Sequence, residues 1–229
     1  MTGPHRFWQK ELLEATRSRR AFVLKFLLPL LLLAPLALWA VPGPMKAVGF
    51  SMAVLFIGVF GSSVRLIHLR DSRMLERMAV LPVPPHGLAA EYVLSSSLLD
   101  GLQLSVPLVL LIGTGGYSIP SVAVILLAFP AALVGANAIG VLVASLSASA
   151  AEGHLFAVLS VIGAAILSGA VPGIGSTWSS WLLPFGPFSA TLRASVDGAP
   201  LAAVPIAWLS AVALLGLVLV LSPQLFRSR

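Results

Sequence analysis

The feature that most constrains this chain is a series of apolar runs, each about as long as a bilayer is thick. Six stretches, 21–41, 47–69, 88–113, 122–149, 155–170 and 201–221, are predominantly apolar. A helix needs about 20 such residues to cross the hydrocarbon core. In lipid the backbone must satisfy its own hydrogen bonds, which makes helices the natural fold for runs of this kind. A water-soluble alternative fails on charge. Only 10% of the residues are charged, against about 25% in soluble domains, too few to clothe a surface facing water. The expected fold is all-α: a single polytopic transmembrane domain over 1–229 with six transmembrane helices. The first run, with 21 residues, is longer than the roughly 7–15 of a signal-peptide core, and reads as a retained span.

The basic residues fix an orientation. With these spans Arg6, Lys10, Arg17, Arg19, Arg20, Lys25, Arg65, Arg70, Arg73, Arg77, Arg227 and Arg229 fall on one face, and Lys46 and Arg193 on the other. Lysine and arginine are retained on the cytoplasmic side, so both termini are expected in the cytoplasm, with the chain multi-pass in the inner (plasma) membrane. The net charge of +6 is thus a topology signal, and no nucleic-acid partner is implied.

Three segments outside the spans carry pattern. Residues 5–20, "HRFWQKELLEATRSRR", place Phe7, Trp8, Leu12 and Ala15 at near-helical spacing, with Lys10, Glu14 and Arg17 elsewhere around the wheel. Lys10 and Glu14 also pair at i, i+4. An amphipathic helix lying in the interface and touching membrane lipid fits this; a basic topogenic tail is the alternative. Residues 171–200, "VPGIGSTWSSWLLPFGPFSATLRASVDGAP", are too polar and broken to span, yet Trp178 and Trp181 suit the headgroup belt. An external hairpin of short re-entrant or interfacial helices is expected, with a plain external loop as the alternative.

The third segment is the most charged. "RDSRMLERMAVLPVPPHG" holds Arg70, Asp71, Arg73, Glu76 and Arg77 between two apolar runs. Asp71 or Ser72 can cap a helix N-terminus. Met74, Leu75, Met78 and Leu81 follow the i, i+1, i+4, i+7 spacing of one apolar stripe. Pro82, Pro84 and Pro85 stop the helix. A cytoplasmic helix over 71–81 is expected, and methionine suits an adaptable contact surface. From these residues alone, contact with a partner and packing on the chain's own bundle are equally supported.

Two polar residues stand near the middle of spans. A bare carboxylate at Asp100 would cost at least about 2.5–3.5 kcal/mol on insertion scales, so it must face protein or water. It is either part of a substrate path or an interhelical polar pair with Asn137, a serine or Gln103. The small residues of 135–149 suit close helix packing.

The order of these features resembles the ABC-2 family of membrane permeases, transmembrane subunits of ATP-binding-cassette exporters. "FWQKELLEATRSRRAFVLKFLLPLLLL" is similar to that family's interfacial helix and first span, so the interfacial role falls to Phe7, Trp8, Lys10, Glu11 and Leu12. "RMLERMAVLPVPPHGLAAEYVL" resembles its charged cytoplasmic helix before a leucine and proline, and "LLPFGPFSATLRASVDGAP" the stretch before its single last span. Where the family segment often has glycine and threonine, this chain has Ser72 and Met74. The resemblance implies that Asp71, Ser72, Arg73, Met74, Leu75, Glu76, Arg77, Met78 and Leu81 form a coupling helix seated on a cytoplasmic ATPase. It also implies two ATPase subunits per complex and a second permease copy or paralogue.

No G-x-x-x-x-G-K-[ST] loop occurs, so ATP and Mg would be bound by the partner ATPase and no cofactor is expected here. The chain is not expected to be an enzyme. It has no cysteine, and His5, His68, His86 and His154 lack companions at metal-ligand spacing. Ser51 in "GFSMA" lacks a base at its depth. The expected function is the permease subunit of an ATP-driven exporter. The alternatives are a haem-exporter-type permease of cytochrome c maturation and an ATP-independent carrier or channel.

Overall fold

A computed structural model describes residues 19–39, 41–72, 74, 84–169, 179–194 and 201–225. Every regular element among them is helical. In chain order they are α1 (Arg19–Leu38), α2 (Gly43–Asp71), α3 (Pro85–Thr114), α4 (Ile119–Leu146), α5 (Ala150–Leu167), α6 (Phe185–Arg193) and α7 (Ala203–Leu225). Five of these, α2, α3, α4, α5 and α7, are long and apolar enough to cross a membrane. The sixth expected span corresponds to α1, whose apolar helix Phe26–Leu38 is shorter.

The helices start and stop where local chemistry dictates. Pro84 and Pro85 open α3, where a missing N–H costs nothing. Ser149 opens α5: its hydroxyl accepts from Glu152 N at 3.2 Å, and the Glu152 carboxylate accepts from Ala148 N at 2.8 Å. Gly169 ends that helix at φ +62°, a conformation glycine adopts freely. Helices α2 and α3 overrun the expected spans 47–69 and 88–113 at both ends, whereas α4 and α5 begin before their spans and stop short of the expected ends.

Helix α4 is the central post. Residues 131–138 are buried without interruption, and α2, α3, α5, α6 and α7 all pack against it. The two ends of the bundle differ. At one end Phe50, Phe129 and Phe188 form a ring cluster with centroids 5.9–6.2 Å apart, and α6 is tucked against α2, α4 and α7. There Lys46 Nζ and Thr114 Oγ1 donate to Ala37 O at 2.8 and 2.9 Å, closing the C-terminus of α1. Tyr117, in the turn between α3 and α4, donates to Leu192 O at 3.0 Å, and burial pushes its phenol above the ordinary value. At the other end Arg70 Nη1 donates to Ala144 O and Ser147 O at 3.3 and 2.6 Å. A cation on those last carbonyls completes the C-terminus of α4.

Two expectations are corrected here. Asp71 does not begin a separate helix but is the last residue of α2, and Ser72 does not cap forward. Its hydroxyl donates back to Leu69 O at 3.1 Å, because a serine just past a helix end finds unpaired carbonyls behind it. Of the hairpin 171–200, residues 179–194 are described. They form a turn of 3-10 helix at Ser179–Trp181 and the nine-residue α6, whose Phe185, Phe188 and Leu192 are buried.

Candidate functional site: a buried charged joint

Asp100 and Asn137, the two polar residues singled out in mid-span, meet. Asn137 Nδ2 donates to Asp100 Oδ2 at 3.0 Å and to Leu133 O at 3.0 Å. Ser62 Oγ donates to Asn137 Oδ1 at 2.6 Å and also lies against Gly58 O. The decisive partner is Arg65: its Nη2 stands 3.0 Å from Asp100 Oδ1. The Asp100 side chain is 1% exposed and that of Arg65 23%. Tyr92 adds a second bridge, donating to Ser62 O at 2.8 Å.

Depth gives these contacts their weight. Asp100 lies fifteen residues into α3, a helix of 30 residues, or roughly 22 Å from its start at 1.5 Å per residue. A carboxylate there is tolerable only with a counter-charge and hydrogen bonds on its remaining lone pairs. Arg65 supplies the first and Asn137 the second. Among the described residues, the joint thus ties α2, α3 and α4 together through the Arg65–Asp100 ion pair and the hydrogen bonds of Asn137 and Ser62.

Local structure explains the reach. In α2 the turn Phe56–Phe60 is π-helical, which shifts the register of everything after it by one residue. Gly58 lies so close to Ala136 that a Cβ would overlap it, and a Cβ on Gly140 would stand 2.6 Å from Val59 O. The crossing of α2 and α4 is therefore tight just above the joint. Arg65 turns back along its helix, its Nε donating to Gly61 O at 3.0 Å, as side chains tilted toward a helix N-terminus do.

Tyr92, Ser96 and Asp100 follow at i, i+4 and i+8 on one face of α3. Ser96 is fully buried, and its hydroxyl has no hydrogen-bond partner among the described residues. The same holds for Ser51, also buried. A shallow apolar groove of about 370 Å³ lies on the other side of α3, between α4 and Trp208 of α7.

The remaining expected site residues divide. Asp71, Ser72 and Met74 are described: Asp71 and Ser72 are exposed, and Met74 packs beside the buried Leu66, Leu69 and Leu88 group. Arg73, Leu75, Glu76, Arg77, Met78 and Leu81 lie outside the described residues, as do Phe7, Trp8, Lys10, Glu11 and Leu12. Arg65 was counted in the sequence only as a topology charge. The signal that could have found it is electrostatic: a mid-span aspartate demands a cation on a neighbouring helix.

No family model matches the chain, and neither a curated protein nor a solved structure matches it. Fold and site define a class: a helical bundle with, among the described residues, five helices long and apolar enough to cross a membrane. Within it, a charged pair is held between the two helices that bracket the charged segment.

Proposed function

We propose that this chain is the transmembrane permease subunit of an ATP-driven exporter of the ABC-2 kind. Segment 71–81 meets a separate ATPase, and the permease works as a pair, with itself or a paralogue, bearing two ATPase subunits. ATP and Mg belong to those subunits. In this reading the chain lies in the plasma membrane, its termini and residues 71–84 face the cytoplasm, and α6 dips into the outer leaflet.

One observation carries the reading. Asp71 and Pro85, which bracket the charged segment, are the ends of two membrane-length helices at the same end of the bundle. Those helices are tied deep inside by Arg65 and Asp100. A push on the segment therefore enters two helices at once and reaches α4 through Asn137. Two further observations agree: Lys46 and Arg193, expected on the external side, lie at the α6 end, and the order of motifs resembles the ABC-2 permeases.

Native mass spectrometry of the complex purified through this chain tests it. The expected particle holds two permease chains and two ATPase chains with a phosphate-binding loop. A functional particle without any ATPase rejects it and selects the second reading, an ATP-independent carrier, which the mid-helix Asp100 carboxylate favours.

A further inference from the structure

The two helices joined by the charged segment approach each other only loosely along the second half of α2, although Leu66 and Leu69 share a buried apolar cluster with Leu88 and Tyr92. Gly61–Asp71, the second half of α2, lies on α4 and α5 and makes no close run of contacts with α3, which lies on α4 from the other side. Among the described residues, two long side chains make hydrogen bonds across that gap. Arg65 reaches Asp100 at 3.0 Å, and the Tyr92 hydroxyl reaches Ser62 O at 2.8 Å. We infer that these bridges form a breakable strut that sets the spacing of α2 and α3, with Arg65, Asp100 and Tyr92 as its positioning residues. The coupling role of that spacing rests on the function proposed above; the strut itself does not.

Physical chemistry separates such a strut from a packed interface. An apolar helix contact is lost as a unit, since its atoms interlock over several turns. A polar bridge changes partners one bond at a time, exchanging a side chain for water or for a neighbouring donor. Arg65 is open enough, at 23%, for such an exchange to begin. The pivot lies immediately above. The π-helical turn Phe56–Phe60 is where a helix bends most readily, and the Gly58 and Gly140 contacts pin that point to α4. Below the pivot, release of the strut frees the end of α2 at Asp71 to shift against the start of α3 at Pro85. Both ends of the charged segment then move.

The chain has no cysteine, so two introduced cysteines carry unique spin labels. Labels at the exposed Ser72 and His86 report the α2–α3 spacing by electron–electron distance measurement in bilayers. The parent protein should give a narrow distribution. Arg65→Ala, Asp100→Asn and Tyr92→Phe should each shift it to longer distances and broaden it, Arg65→Ala most. A reference pair at the exposed Leu127 and Leu209 on α4 and α7 should keep its distance in all three. If Arg65→Ala does not insert, the two milder variants decide. A Ser72–His86 distribution unchanged in every inserted variant overturns the inference, as does an equal change in the reference pair, which would mean general loosening. A Ser72–His86 distribution unchanged in the variants alongside normal ATPase assembly rejects only the strut; the expected shift without any ATPase assembly rejects only the coupling.

Discussion

The two ends of the bundle are held by different forces. Around Phe50, Phe129, Phe185, Phe188 and Leu192 the side chains are apolar and fully or nearly fully buried, and α6 fills the space between three longer helices. Around Ser62, Arg65, Tyr92, Asp100 and Asn137 the contacts are directed and polar, and Gly61–Asp71 of α2 makes few close contacts with α3. In water the apolar end would be the stronger. In lipid it loses that advantage, because hydrocarbon outside is as apolar as the core, and only packing remains. The polar end gains, since an unpaired charge there has no water to turn to. The lesson is mechanical: the apolar end keeps the bundle's shape, while the polar end has discrete bonds that open and close.

The largest effect expected from this contrast is at the joint. Arg65→Ala removes the guanidinium 3.0 Å from the fully buried Asp100 carboxylate and should cost about 3 kcal/mol, the lower part of the range for breaking a buried pair. Asp100→Ala strands a guanidinium that is partly open and should cost less. Removing both should cost less than removing Arg65 alone. Reversible unfolding in mixed micelles measures all three, and equal single-variant costs would break the asymmetry argued from exposure.

Phe188→Ala comes next. It removes one of the three mutually contacting rings, yet the transfer part of the usual penalty is missing in lipid. The loss should be about 1–3 kcal/mol, below the roughly 3–5 of soluble cores. A loss larger than that of Arg65→Ala would reverse the ranking of the two ends.

Smallest is Ser96→Ala. This hydroxyl is buried and unpaired among the described residues, so its removal should be neutral or slightly stabilising in the same unfolding assay. A loss of more than about 1 kcal/mol would instead place a bound water between Ser96 and the joint.

How far the sequence could be read follows from the same physics. The long helices were legible because a run of about 20 apolar residues has few other fates. Their ends were not, since Asp71 and Pro85 lie past the apolar windows, where local capping rather than hydrophobic length sets the boundary. The sequence also raised Asn137 as a partner for Asp100, two polar groups at similar depth in neighbouring helices, and they do meet. Arg65 was hidden. Near a span's end it reads as a flanking charge, and only the rotation of α2, set by the π-helical turn, shows that its side chain runs inward to Asp100. Nothing in "FIGVF" marks Phe56–Phe60 as that turn. The turn coincides with the tight approach of Gly58 to Ala136, a tertiary contact that no local pattern announces.

The most direct test of the coupling claim is made on the charged segment. With the ATPase that co-purifies with the parent chain, hydrolysis and co-purification are measured for Arg73→Glu with Arg77→Glu, and for a control pair, Arg227→Glu with Arg229→Glu. Reversed charges at a complementary rim slow encounter and misfit its register. Neither pair enters an apolar run, so insertion should survive. The expected result is loss of ATPase from the Arg73/Arg77 preparation and hydrolysis at the level of free ATPase, with the control pair unchanged. Full retention of ATPase and of transport-linked hydrolysis in the Arg73/Arg77 variant would contradict the claim and leave 71–81 as a loop that only connects α2 to α3.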